Sequence, residues 1–203
     1  MLIGITGGSG SGKTSFINHL REQFSENELG LLSMDNYYKQ RHEQQKDPQG
    51  EYNYDTPDSF IIDDFIEDLR KLKRHEEVRR KEYTFNNDTK AAGIVITPPA
   101  HVYIIEGLFL VHDQRIRQLL DLTILIQAKE ELKIIRRILR DQKERNYPMD
   151  DVLYKYQHHV GPAFDKYIRP HIADLDLIIN NNSSYSKALD VIAAYVREHC
   201  KGK

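Results

Sequence analysis

The sequence predicts an α/β fold: a three-layer sandwich with a mostly parallel central sheet, a β-hairpin insertion and a helical lid. Three observations predict it. Short apolar runs alternate with amphipathic stretches, the order that a parallel sheet covered on both faces requires. A glycine-rich segment, Gly7-Gly8-Ser9-Gly10-Ser11-Gly12, separates the first apolar run from the first amphipathic stretch. Two β-prone runs flank the turn-prone Asn86-Asn87-Asp88-Thr89-Lys90, which reads as a hairpin over about 82–97. The 203 residues suit one domain, 1–203, with no repeat or low-complexity tract.

In chain order, Leu2 to Thr6 is apolar and short enough for a strand, and Lys13 to Phe24 repeats apolar residues at helical spacing through Phe16, Ile17, Leu20 and Phe24. Leu29 to Met34 reads as a second strand. Residues 36–58 are polar and turn-rich, a loop too long to be idle in a compact domain. Asp58-Ser59 can cap a helix whose apolar face uses Phe60, Ile61, Phe65, Leu69 and Leu72. That helix runs into the charged stretch Arg70 to Glu82, which reads as a solvated helix terminus rather than a basic groove. Glu82–Phe85 and Gly93–Thr97 are the hairpin strands; His101–Ile105 and Asp121–Gln127 are further strands. Helices are expected over Glu130–Glu144 and Asp150–Asp165, with the lid spanning about 136–165. Leu175–Asn180 is the last strand and Tyr185–His199 the closing helix.

Composition removes several classes of function. Hydrophobic residues make up 39 % and charged residues 30 %, ordinary for a globular chain, and a net charge of −2 gives no field for nucleic acid or an anionic membrane surface. The single cysteine, Cys200, cannot form an internal disulfide. No stretch reaches the ~20 apolar residues that span a bilayer. The N-terminus lacks the basic and small-residue features of a signal peptide, so the expected location is cytoplasmic. His158-His159 diverge on a helix and, without H-E-x-x-H or a cysteine set, read as surface or partly buried histidines rather than a metal site.

The segment Gly7-Gly8-Ser9-Gly10-Ser11-Gly12-Lys13-Thr14 satisfies G-x-x-x-x-G-K-[ST], with a strand before it and an amphipathic helix after it. A chain of this length would match by chance in roughly one case in a hundred. Glycines let backbone N–H groups turn inward as an anion nest, and the nest runs into a helix N-terminus that favours phosphate. Lys13 supplies a mobile cation for the β- and γ-phosphates, and the Thr14 hydroxyl is a Mg²⁺ ligand. The motif therefore implies ATP with Mg²⁺ and a P-loop NTPase-type sandwich.

Ligands in doubly wound sheets lie beyond the carboxyl ends of the strands. Asp35 and Glu106 follow strands at that edge. An acid there can hold Mg²⁺, directly or through water, or accept a proton from an attacking hydroxyl. Either can also serve as a cap or turn residue.

Four further segments now form a pattern: Asp35-Asn36-Tyr37-Tyr38-Lys39, Asn53-Tyr54-Asp55-Thr56-Pro57, Ile105-Glu106-Gly107-Leu108 and Arg136-Arg137-Ile138-Leu139-Arg140-Asp141-Gln142-Lys143-Glu144-Arg145. In order and spacing the chain resembles the uridine kinase (uridine–cytidine kinase) family from residue 3 to about 180. The resemblance implies ATP-dependent phosphorylation of the 5′-hydroxyl of a ribonucleoside, uridine or cytidine, in pyrimidine salvage. Asp35 would be the catalytic aspartate that takes the hydroxyl proton, and it would join Thr14 and Glu106 around Mg²⁺. Asp55 would hold the ribose 2′- and 3′-hydroxyls. Tyr38 would flank the nucleoside, with Tyr83 and Phe85 framing the base. Arg137 would contact ribose and phosphate, and Arg140 and Arg145 would close over the phosphates. The family is often oligomeric, which leaves a homo-oligomer open.

The residues agree with that chemistry. A carboxylate suits vicinal hydroxyls, and a loose phosphoryl transition state suits guanidinium charge. The plain alternative for the arginines is surface pairing with Glu144 or Asp141. Four positions depart from the family: Asp88 where a hairpin histidine is usual, Asn146-Tyr147 where the lid usually has Gly-Arg, and Lys155 where a glutamine is usual. A kinase of another small alcohol, of phosphoribulokinase or pantothenate kinase type, is the neighbouring alternative. A GTP-dependent switch would need Asn-Lys-x-Asp, which the chain lacks; Asp47-Pro48-Gln49-Gly50 matches D-x-x-G but follows no apolar strand.

Overall fold

The computed structural model describes residues 1–84 and 91–201, apart from the side chains at 144 and 145. Five parallel strands form the central sheet in the order β2-β5-β1-β6-β7. They are β1 (Leu2–Thr6), β2 (Leu29–Ser33), β5 (Val102–Glu106), β6 (Leu122–Gln127) and β7 (Leu177–Asn180). The strand that feeds the phosphate loop is thus central, paired with β5 on one side and β6 on the other. Strands β3 (Val78–Lys81) and β4 (Ile94–Thr97) form a separate antiparallel pair.

Strand periodicity divides the core between two faces. Leu2, Tyr103, Ile105 and Leu125 pack on one side with α2 (Ile62–Lys73), Phe109 and Ile168. Ile3, Ile5, Ile104, Ile124 and Ile126 pack on the other with α1 (Lys13–Arg21) and α7 (Ser186–Cys200). Phe65 and Leu69 of α2 are fully buried, each contributing ~1.5–3 kcal/mol of apolar burial. The remaining helices are α3 (Gln114–Arg117), α4 (Glu130–Arg145), α5 (Met149–Lys155) and α6 (Gly161–Ala163). Among the described residues no helix is long and apolar enough to cross a membrane.

Several expected boundaries move. Helix α1 stops at Arg21 rather than Phe24. The Asp58-Ser59 cap does not form: Pro57–Ser59 is a 3-10 turn, and α2 begins at Ile62 with no side-chain cap. Phe60 is buried, but outside the helix, where it bridges to Tyr38, and Ile61 is 42 % exposed rather than core. The charged run is a helix end only as far as Lys73, the last residue of α2; Val78–Lys81, near its other end, are β3. The hairpin accordingly begins before residue 82, with Val78 facing Thr97 and Lys81 facing Ile94.

The helix expected over 150–165 forms as one continuous helical run, made of α5, a π-turn Tyr156–Val160, α6 and a second π-turn Phe164–Ile168. Pro162 accounts for the widening of the turn before it, because it has no N–H for that turn and its ring crowds it.

Candidate active site

All five sheet strands run the same way, so their C-terminal ends share one edge. Beyond it lies a cleft of about 860 Å³. Residues Gly7 to Thr14 line it, together with Asp35, Tyr38, Asp55, Tyr83, Arg137 and Arg140. The sheet therefore gathers in one place residues spread over most of the chain. Phe85 and Asp88 lie outside the described residues, as does the side chain of Arg145.

The phosphate loop needs glycine at two left-handed positions, Gly10 (φ 80°) and Gly12 (φ 92°). A Cβ at Gly10 would run into the Lys133 carbonyl, and one at Gly12 into the Asn181 amide. Asn181, just past β7, donates from Nδ2 to the Ser11 carbonyl at 2.9 Å. With that carbonyl held on the Asn181 side, the planar trans peptide turns the Gly12 N–H the opposite way. Asn181 itself donates its backbone N–H to Gln127 and accepts from Arg136 Nη2 at 3.0 Å.

Glu106 ends β5 in register with Ile5 of β1 and Ser33 of β2. Its carboxylate takes an ion pair from Lys13 on one oxygen and a hydrogen bond from the Ser33 hydroxyl on the other. Burial pulls the Lys13 ammonium down, but the Glu106 and Asp35 carboxylates outweigh it and leave the pKa above the ordinary 10.5. Burial likewise pushes Glu106 up, and Lys13 and Ser33 bring it below 4.5. Asp35 sits in the 3-10 turn Met34–Tyr37, its N–H bonded to Ser33 Oγ at 3.2 Å.

Tyr38 is the hub of an aromatic wall, with ring centroids 4.1 Å from Phe60, 5.1 Å from Tyr83 and 6.0 Å from Tyr54. Burial, then the charges of Asp35 and Asp55, lift its hydroxyl well above the ordinary 10.0. The Tyr83 N–H donates to Asn36 Oδ1 at 3.3 Å, which ties the hairpin beside Asp35.

Across the cleft, α4 supplies the arginines. Arg137 donates to Ser9 Oγ at 2.8 Å and pairs with Asp141 at 3.3 Å. Arg140 meets the same carboxylate at 2.8 Å. Pairing with Asp141 was the plain alternative for these residues, yet Asp141 is 1 % exposed, so it is a buried seat aiming both guanidiniums at the cleft. The lid departure has a local reason: Asn146 ends α4 in the left-handed conformation (φ 54°), where asparagine is the usual substitute for glycine. Tyr147 and Lys155 also line the cleft, the ammonium 4.8 Å from the ring centre.

Sequence reasoning missed Arg41, Glu51, Tyr52, Tyr54 and His159 as cleft residues, and His159, expected at the surface or partly buried, is buried. The long loop 36–58 was the available signal for the first four. Asn181 was legible by the strand-end rule that singled out Asp35 and Glu106, applied to the last strand.

Comparisons with known proteins bear on the same chain. The family model described as Phosphoribulokinase / Uridine kinase family matches residues 2–186. A uridine kinase of Bacillus pumilus is 36 % identical over 97 % of this chain and 94 % of its own length. One from Leuconostoc citreum is 34 % identical over 95 % and 92 %. The solved structure of phosphoribulokinase from Rhodobacter spheroides superposes with a TM-score of 0.62 at 17 % identity, covering 88 % of this chain and 69 % of that one, a likeness of fold.

Proposed function

Since this chain belongs to the phosphoribulokinase/uridine kinase family, we propose that it transfers the γ-phosphoryl group of ATP to the 5′-hydroxyl of a ribonucleoside, uridine or cytidine. It is a phosphotransferase with an alcohol acceptor, suited to pyrimidine salvage. The observation that carries the reading is one cleft lined both by the whole phosphate loop and by Asp35, Tyr38, Asp55 and Tyr83.

In this reading the loop N–H groups and Lys13 hold the β- and γ-phosphates. Asp35 accepts the proton of the 5′-hydroxyl as its oxygen bonds to the γ-phosphorus and the bond to ADP breaks. Arg137 and Arg140, with Arg145, meet the charge that spreads over the transferring group. Asp55 accepts from the ribose hydroxyls, while Tyr38 and Tyr83 frame the base; the resemblance adds Phe85 and Asp88 to the acceptor side.

Mg²⁺ fits the donors present. Thr14 offers a hydroxyl, and Asp35 and Glu106 offer hard carboxylate oxygens; no denser acid or histidine cluster occurs among the described residues. That sparse set suits a cation held largely by substrate phosphates and water. When bound, the ion neutralises charge on the phosphate oxygens. We place the reaction in the cytoplasm, beside its ATP supply.

A panel of nucleosides and small alcohols tests the reading. ATP-dependent phosphorylation of uridine or cytidine is expected, with 2′-deoxyuridine worse by roughly tenfold to a hundredfold because the Asp55 carboxylate, covered by the bound ribose, loses one partner. Equal rates on ribose and deoxyribose, or turnover of only a non-nucleoside alcohol, would overturn it. The phosphoribulokinase-like alternative is not favoured, since uridine kinases match nearly the full chain.

A further inference from the structure

Two sequence features that the reaction leaves unused meet in the fold: the Asp47-Pro48-Gln49-Gly50 turn and the histidine pair. Residues 45–53 form a small antiparallel ladder. Lys46 bridges to Tyr52, the Asn53 N–H donates to the Gln45 carbonyl at 2.8 Å, and the Asp47 N–H to that of Glu51 at 2.8 Å. Asp47 closes the tip of its own ladder, where Oδ1 accepts from the backbone N–H groups of Gln49 and Glu51, each at 2.9 Å. The other oxygen reaches a different element. Oδ2 accepts from the Tyr154 hydroxyl at 2.6 Å and lies 2.8 Å from His159 Nε2.

The side chains of Asp47 and His159 are 9 % and 2 % exposed, so water competes little for this contact. The strand leaving the tip carries Glu51, Tyr52, Tyr54 and Asp55 to the cleft, which Lys155 and His159 also line. One carboxylate therefore joins the loop that bears the acceptor residues to the helical segment on which Tyr154, Lys155 and His159 lie.

We propose that Asp47 is a positioning residue: by clasping Tyr154 and His159 it docks the acceptor loop on α5 and so sets where Asp55 meets the acceptor. A loop ordered in advance spares the acceptor the entropy of ordering it. The effect falls on acceptor KM and leaves ATP affinity alone, because the phosphate loop is held elsewhere, by Asn181 Nδ2 on the Ser11 carbonyl. The inference rests on the nucleoside reading for the identity of the acceptor and on geometry for the clasp.

Two full-length variants test it. Asp47→Ala removes turn and clasp together, whereas Tyr154→Phe removes the hydroxyl's contacts to Asp47 and to Gln49 Oε1 and spares the turn. Acceptor KM should rise about tenfold in the first and roughly threefold in the second, with ATP KM within about twofold of wild type. Amides of residues 51–55 should exchange faster with solvent in both, measured without any substrate. Unchanged acceptor KM in both variants, or acceptor and ATP KM rising together, would overturn the proposal. If wild type turns over no nucleoside, the functional reading falls by itself, and exchange still decides: acceleration supports the clasp and unchanged exchange sinks it. Should Asp47→Ala fail to fold, Tyr154→Phe carries the decision.

Discussion

Lys13 and Glu106 hold each other charged in a place where water helps neither. Because the folded Glu106 carboxyl lies below its ordinary 4.5, the stability it contributes is present above that value and lost as pH falls through the folded one. Lys13 is raised, so its contribution is present below 10.5 and lost only as pH rises through its folded value. Lys13→Ala should therefore destabilise the protein by about 2 kcal/mol at neutral pH, and the gap should close in acid, where a protonated Glu106 needs no cation. Urea unfolding of both proteins across that range reads the difference. A gap that stays constant would mean that packing alone was lost. Lys13 and Glu106 were legible one by one, from a motif and a strand end. Their pairing was not, because it depends on β5 lying beside β1, an order no local pattern carries. Glu51, Tyr52 and His159 escaped for a related reason: a loop path and a π-turn, not a periodicity, bring them to the cleft.

Helix α2 and the hairpin are joined by Asp68, which is 1 % exposed and bonds Tyr37 at 2.8 Å, Lys71 at 2.7 Å and Arg80. The Arg80 guanidinium also lies over the Tyr37 ring, 4.6 Å from its centre. Removing the carboxylate takes this partner from buried Tyr37 and from Lys71, and leaves Arg80 with its bonds to Asp64 alone. Asp68→Ala should cost about 2–3 kcal/mol in denaturant unfolding, and a loss under ~0.5 kcal/mol would show that the hairpin docks without it. This junction also explains why β3 was hard to read. Of Val78-Arg79-Arg80-Lys81, Val78 is the buried residue, and Arg80 points inward to meet a charge, so alternation looks like a solvated run. The long, strongly periodic elements α1, α4 and α7, and the apolar strands of the sheet, were read to within a few residues. Short elements decided by tertiary partners, such as α3 and the 3-10 turns, left no comparable pattern.

The parallel three-layer architecture was legible from alternation alone, whereas the strand order required the structure. That order puts β6 and β7 where they wall the phosphate loop, and Asn181 is where β7, β6, α4 and the loop converge. Asn181→Leu keeps the volume and removes the amide that fixes the Ser11 carbonyl. ATP KM should rise about tenfold with acceptor KM little changed, and calorimetric nucleotide affinity should fall in step. Wild-type affinity would show that the glycines shape the loop unaided.

The same strand order has a consequence for how the chain is made. Leu2 pairs with Tyr103 and Ile3 with Leu122, so β1 leaves the ribosome about a hundred residues before its first neighbour. At about 5–20 residues per second that is about 5–20 s during which an apolar strand has nothing to pair with. The nucleotide motif is synthesised well ahead of its walls at Lys133 and Asn181, which lie far downstream in the chain. Nucleotide binding is thus acquired late, and a nascent chain arrested before β7 emerges carries the whole motif without the means to hold it in shape.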